Sequence, residues 1–145
     1  MASRTGVGVV VSVLMLVGSG GCSGDDKASV ASSLRAYLSA VGGGDGVKAC
    51  NRVGAVSLDS MGGRVACQDR VRRLGERFTS SDREALRSVD IEVGMISVIG
   101  NGACATVPQS AISSKQGRLP FDNAEGFQLC KADGPWQIAS GSLKP

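Results

Sequence analysis

The sequence predicts an α+β domain in which N-terminal helices pack on one side of an antiparallel sheet of four or more strands. Three observations carry this expectation. Apolar residues recur at helical spacing as far as residue 88, they alternate at period two beyond it, and two turn signals, Gly100-Asn101-Gly102 and Asp133-Gly134, separate the alternating runs. Helices first and hairpins afterwards make the segregated order of an α+β domain.

Each element has its own reason. Val30, Leu34, Tyr37, Leu38 and Val41 fall at i, i+4, i+7, i+8 and i+11, one stripe of a first helix that Gly42-Gly43-Gly44 ends. Asp45 offers an N-cap for a short second helix over 46–53 that carries Cys50. A third helix is expected over 64–78, with Cys67, Val71, Leu74 and Phe78 as its apolar stripe. Ser81-Asp82-Arg83-Glu84 fits a capping box and opens a fourth helix to about residue 88. Ile91, Val93 and Met95 then alternate with Glu92 and Gly94 as one strand, and residues 103–107 return after the Asn-Gly turn, which supplies the positive φ a tight hairpin needs. Residues 109–123 are polar and read as a loop. Residues 125–131 and 135–140 flank Asp133-Gly134 as a second hairpin, with Phe127 and Leu129 on one face and Trp136 and Ile138 on one face of the partner strand. No internal repeat shows.

The first 22 residues have a different character. Arg4 precedes an apolar run over 7–17, and Gly18-Ser19-Gly20-Gly21 leads into Cys22. A charged start, a short apolar stretch and small residues before a cleavage point make a secretory signal peptide, and the run is too short for a membrane-spanning helix. The cysteine directly after small residues resembles the bacterial lipobox, in which the thiol is lipidated and the peptide before it is removed. Gly21 fits the position before the cysteine; Ser19 and Gly20 stand where the pattern has an aliphatic residue and a Ser, Ala or Thr. The expected organisation is a signal peptide over 1–21, lipid on Cys22, a flexible tether over 22–28 and one domain over 29–145.

Lipid on Cys22 leaves four of the five cysteines, an even number, in an oxidising compartment. No C-x-x-C pair occurs, so a four-cysteine zinc site is not expected. Cys50 and Cys67 fall on neighbouring helical segments. Cys104 shares parity with Thr106, and Cys130 with Gln128, so both point to the same more polar face of the sheet. The expected disulfides are therefore Cys50–Cys67 and Cys104–Cys130, each worth on the order of 3 kcal/mol in the chain-entropy model.

Composition narrows the chemistry. The 145 residues are 42% hydrophobic and 20% charged, with a formal net charge of +3, as in an ordinary globular domain. Histidine is absent, which removes Ser-His-Asp and Cys-His catalysis and every His-ligated metal site. No nucleophile elbow, phosphate-binding loop or dinucleotide glycine pattern appears, and no cofactor is expected.

The run Leu34-Arg35-Ala36-Tyr37-Leu38, the Gly42-Gly43-Gly44-Asp45-Gly46 that follows, Lys48-Ala49-Cys50, and the ending Gly134-Pro135-Trp136-Gln137-Ile138-Ala139-Ser140 resemble NTF2-like (cystatin-type α+β) domains. More narrowly they resemble small lipoproteins of high-GC actinobacteria. The resemblance covers most of 29–140 and rests on structural motifs. It implies helices packed on a strongly curved sheet, forming a cone open at one end, and it implies no single activity. Within such a cup the candidate lining residues are Tyr37, Phe78, Phe127 and Trp136, each of which also serves as an ordinary core residue. Asp90 and Glu92 read as solvated strand-end charges. Arg64, Arg70, Arg72, Arg73, Arg77, Arg83 and Arg87 are interleaved with Asp69, Glu76, Asp82 and Glu84 as a partly paired helix face, Asp69 and Arg73 standing at ion-pair spacing. The expected function is that of a non-catalytic lipoprotein on the extracytoplasmic face of the membrane, held through Cys22 and binding a partner protein or small ligand in the cup. A carboxylate-dependent enzyme in the same cup is the alternative, as is a structural protein that contacts anionic membrane or wall polymer. Nucleic acid is not an expected partner, since aromatic residues for base stacking are not interleaved with the arginines.

Overall fold

The computed structural model describes residues 23–121, 125–131 and 134–143; the expected signal peptide and Cys22 lie outside them. Among the described residues five α-helices come first: α1 (Ser23–Gly42), α2 (Gly46–Cys50), α3 (Ala55–Ser60), α4 (Arg64–Arg77) and α5 (Ser80–Arg87). Six short strands follow: β1 (Val89–Ile91), β2 (Ser97–Ile99), β3 (Cys104–Val107), β4 (Ile112–Ser114), β5 (Phe127–Cys130) and β6 (Gln137–Ser140). The architecture is α+β, as the sequence predicts.

The stripe on α1 organises the core. Val30, Leu34, Leu38 and Val41 are completely buried, each contributing roughly 1.5–3 kcal/mol by removal from water. Around this stripe α1 packs against α2, α4 and α5 and also reaches β1, β2 and β6. Gly42 lets α5 come close: a Cβ there would sit 2.8 Å from the Arg83 carbonyl oxygen and from the Leu86 Cβ. At α4, Cys67, Val71 and Phe78 are buried and Leu74 is half-buried, which matches the expected stripe.

The strands form one four-stranded antiparallel sheet, β2-β3-β5-β6, and a separate antiparallel pair, β1-β4. In the larger sheet Ala105 and Val107 of β3, Leu129 and Phe127 of β5, and Ile138 of β6 share the buried face. Cys104 and Cys130 face each other across the β3–β5 ladder on the less buried side. Both expected disulfides are present, Cys50–Cys67 with Cα atoms 6.1 Å apart and Cys104–Cys130 with Cα atoms 4.0 Å apart.

Five local expectations are corrected. The strand over 89–95 stops at Ile91, because a 3-10 turn at Val93–Met95 shifts the buried parity: Val93 and Met95 are 37% and 38% exposed while Ile96 is buried. The polar loop after residue 109 contains β4, whose Ile112 is buried and pairs with Ile91. A further helix, α3, occupies the link between Cys50 and Cys67, held by Leu58 and by the Ser57 hydroxyl, which donates to the Ala139 carbonyl at 2.6 Å. The fourth expected helix is capped two residues early. Thr79, not Ser81, accepts from the Asp82 N–H, and the Asp82 carboxylate accepts from the Thr79 N–H in return. Last, residues 23–28, expected as a tether, are the opening turns of α1. Asp25 and Asp26 favour the positive end of the helix dipole, and Asp26 pairs with Lys131 at 2.6 Å.

A basic candidate binding cleft beside the first helix

The site is built on α4. Its inward face, Cys67, Val71 and Gly75, is buried, so the remaining faces must carry the charges. Asp69 pairs with two arginines: its carboxylate accepts a hydrogen bond from Arg72 Nη2 and forms an ion pair with Arg73 Nη2, each at 2.5 Å. The Arg72 hydrogen bond, with Arg73 and Arg72 charges beside it, holds the Asp69 carboxyl below the usual carboxylate range against a smaller opposing effect of burial. Arg72 also donates to Glu76 at 2.8 Å. Arg70 and Arg77 have no carboxylate within ion-pair distance among the described residues.

Arg70, Arg73, Leu74 and Arg77 share one face of α4 and form one wall of a cleft of about 470 Å³. Tyr37 of α1 forms the facing wall, and Met61 and residues 141–143, which follow β6, close the remainder. Gly141 makes that closure possible. Its φ is +149°, and a Cβ there would strike the Phe127 ring. The chain can therefore cross directly over Phe127 and bring Leu143 into a bridge with Phe121. Under the cleft the rings of Tyr37 and Phe127 meet edge to face at 6.3 Å, and those of Phe121 and Phe127 at 5.8 Å. Burial pushes the Tyr37 phenol above its ordinary pKa, and the Arg70 charge opposes that rise.

Two other concavities differ in kind. One, about 530 Å³, is an open groove along β4 lined by Ser and Gln side chains and by Ile112, Leu119 and Phe121, with Arg118 the only charged residue among its described lining residues. A smaller one of about 240 Å³ lies on the far side of α4, where Arg72, Glu76, Arg83 and Arg87 surround the Gly43-Gly44 turn. There the Arg83 Nε is buried without a hydrogen-bond partner among the described residues.

The four aromatic residues expected to line one cup do not converge. Only Tyr37 lines the basic cleft; Phe127 lies beneath it and borders a different depression near Glu125 and Gly126. Phe78 is buried, and so is Trp136, with the Lys131 ammonium 4.8 Å above the ring centroid. The physical reason is burial. Phe127 holds an inward position of β5, and Phe78 just after α4 and Trp136 just before β6 are likewise consumed by the core, whereas Tyr37 is only partly buried. Asp90 and Glu92 are exposed, and Asp90 lies 3.8 Å from Arg35. The sequence marks Leu74 as a helix-stripe residue but not as a cleft residue, and Met61 and Leu143 reach the cleft only through tertiary folding. Among the described residues, no group of His, Cys, Asp and Glu could hold a metal ion, and no helix is long and apolar enough to cross a membrane.

Compared with known proteins, the chain matches no protein-family model, no curated protein and no solved structure. The functional reading therefore stands on this geometry.

Proposed function

We propose that the protein is a lipid-anchored lipoprotein of the extracytoplasmic membrane face that acts by binding, with the cleft between Tyr37 and α4 as its site. The anchor reading rests on the apolar run and the small residues before Cys22. The two disulfides support an oxidising compartment. The resemblance to NTF2-like lipoproteins agrees with helices packed on an antiparallel sheet and adds no activity of its own.

One observation carries the choice of binding over carboxylate catalysis. The cleft that holds Tyr37 is lined by guanidinium and apolar groups, with no carboxylate among its described lining residues. An acid–base mechanism in an NTF2-like cup would want an Asp or Glu beside the tyrosine. A concavity of a few hundred cubic ångströms with an apolar floor and a few polar groups is the usual form of a small-ligand site.

Two measurements test the reading. Expressed as the full chain in a bacterium that matures lipoproteins, the wild type is expected in the membrane fraction with an acylated N-terminal cysteine by mass spectrometry. Cys22→Ala is expected to lose the modification. An intact Cys22 thiol in the mature wild type overturns the anchor. For the cleft, the neutral dye Nile red is expected to bind the mature lipoprotein in a saturable way that Leu74→Trp blocks by filling the space. Unchanged dye binding in that folded variant overturns the choice of site.

A further inference from the structure

The basic cleft has a chemistry more specific than a ligand site in general. Arg70, Arg73 and Arg77 stand three and four residues apart on one helix face, where like charges repel, and Asp69 compensates only Arg73. Two guanidinium groups are thus held at a cleft wall without a carboxylate partner among the described residues. A guanidinium presents N–H donors in a fork that matches the oxygens of phosphate or carboxylate. Tyr37 lines the same cleft as a neutral group, and Leu74, Met61 and Leu143 add apolar wall.

We propose that this cleft binds a small amphipathic anion, with its phosphate or carboxylate head on Arg70 and Arg77 and its apolar part against Leu74, Met61 and Leu143. The proposal rests on the binding reading above and names the ligand class of the same site. The head group belongs to a molecule free of the anchoring bilayer. Tyr37 lies roughly 21 Å along α1 from Ser23 at ~1.5 Å per residue, so the cleft stands well away from an anchor at Cys22. The space, about 470 Å³, accepts a compact ligand and not a whole two-chain lipid.

The test uses the full mature lipoprotein in zwitterionic nanodiscs, titrated calorimetrically with hexyl phosphate, hexyl glucoside and inorganic phosphate, with empty nanodiscs subtracted. Hexyl phosphate is expected to bind once per chain, at least tenfold tighter than either of the others. Arg70→Ala with Arg77→Ala is expected to weaken it at least tenfold, Arg70→Lys with Arg77→Lys by less, and Arg118→Ala not at all. The lysine pair guards against misfolding, since it keeps the charge and the stem. In nanodiscs rich in phosphatidylglycerol the affinity for hexyl phosphate is expected to stay the same. A loss of affinity there means the anchoring bilayer's own head groups occupy the site, which overturns the free-ligand proposal. Equal binding of hexyl glucoside, with Nile red still blocked by Leu74→Trp, overturns the anion chemistry and leaves the cleft reading intact. Equal binding of inorganic phosphate makes the site one for an adventitious ion only and also overturns the proposal.

Discussion

Removing the two disulfides one at a time separates loop entropy from packing, because the two effects rank the bonds in opposite order. Cys50–Cys67 spans 17 residues and Cys104–Cys130 spans 26. In the chain-entropy model these loops are worth about 3.1 and about 3.5 kcal/mol, so entropy alone makes the second removal slightly costlier. Burial reverses the order. Cys50 is 0% and Cys67 2% exposed, both inside the α2–α4 contact, so Cys50→Ala with Cys67→Ala also deletes two buried sulfurs at roughly 1 kcal/mol each. Cys104 and Cys130 are half-buried and already sit opposite each other in the β3–β5 ladder, whose main-chain hydrogen bonds keep the strands paired without the covalent link. The helical pair should therefore cost about 5 kcal/mol and the sheet pair about 3.5. Urea unfolding of the two double-alanine proteins, fitted with a common slope, reads the difference directly. If the sheet pair proves equally or more destabilising, packing is not what distinguishes the two bonds and the ranking by burial fails.

Three other outcomes are expected. Thr79→Ala removes the reciprocal cap of α5 and should cost about 1 kcal/mol, and Asp82→Ala added to it should cost little more, by urea unfolding of the single and double variants. Gly46→Ala would place a Cβ 2.8 Å from the Gln68 carbonyl oxygen and 3.0 Å from its Cα, both backbone, so α2 and α4 must separate; about 1–3 kcal/mol of stability should be lost, read as a lower thermal midpoint. Tyr37 is the only tyrosine of the chain, so phenolate absorbance in the near ultraviolet titrates it alone. Its native pKa is raised, so the stability it contributes is fully present below 10.0 and is lost as pH climbs through the raised native value; Arg70→Ala should move that titration higher still, because the opposing cation is gone.

What was legible in the sequence followed from periodicity. The α1 stripe, the α4 stripe and the inward faces of β5 and β6 are read correctly because long amphipathic patterns leave one placement that buries them. The pairing of Cys104 with Cys130 was legible for the same reason: strand parity puts both on one face, and the register then sets them opposite each other. What escaped has little pattern to show. β4 is three residues, Ile112–Ser114, two of them serine, and is a strand only because Ile91 needs a partner. The residues 91–96 look continuous at period two, yet the chain departs from β4 after Ile91 and a single 3-10 turn moves the buried position from Met95 to Ile96. At α5 the sequence points to a capping box at Ser81, whereas the chain caps at Thr79; the buried Phe78, extended at ψ 138°, ends α4 and favours the earlier start. The cleft was half visible. Its arginines stand out as a run, but the partners that turn a solvated helix face into a cavity wall come from Tyr37 on α1 and from 141–143 at the far end of the chain. No local signal links those segments.

The stretch 23–28 has the most bearing on how the protein would work. Read as a tether, its Ser, Gly, Asp and Lys composition would let the domain tumble on its lipid and bring any basic surface to the bilayer. As the opening of α1 it does the opposite. Asp26 is joined to Lys131 beside β5, Lys131 covers the Trp136 ring, and a Cβ added at Gly102 of the β2–β3 turn would lie 3.8 Å from the same carboxylate. The first turns of α1 are thus fastened to the end of the four-stranded sheet, and the buried stripe from Val30 to Val41 fixes the rest of the helix to the core. In the proposed anchored state the lipid joins a clamped helix directly, and α1 acts as a strut. Its near end, with the Gly100-Asn101-Gly102 turn, lies toward the bilayer, while Tyr37 and the arginines of α4 stand farther along it. With α1 upright on the bilayer, a basic face placed there lies beyond the reach of the membrane's charge, because charge interactions through water are screened over ~8–10 Å at physiological salt. For a protein standing on α1 in this way, the arginines that suggest membrane contact in the sequence are offered instead to the proposed soluble ligand.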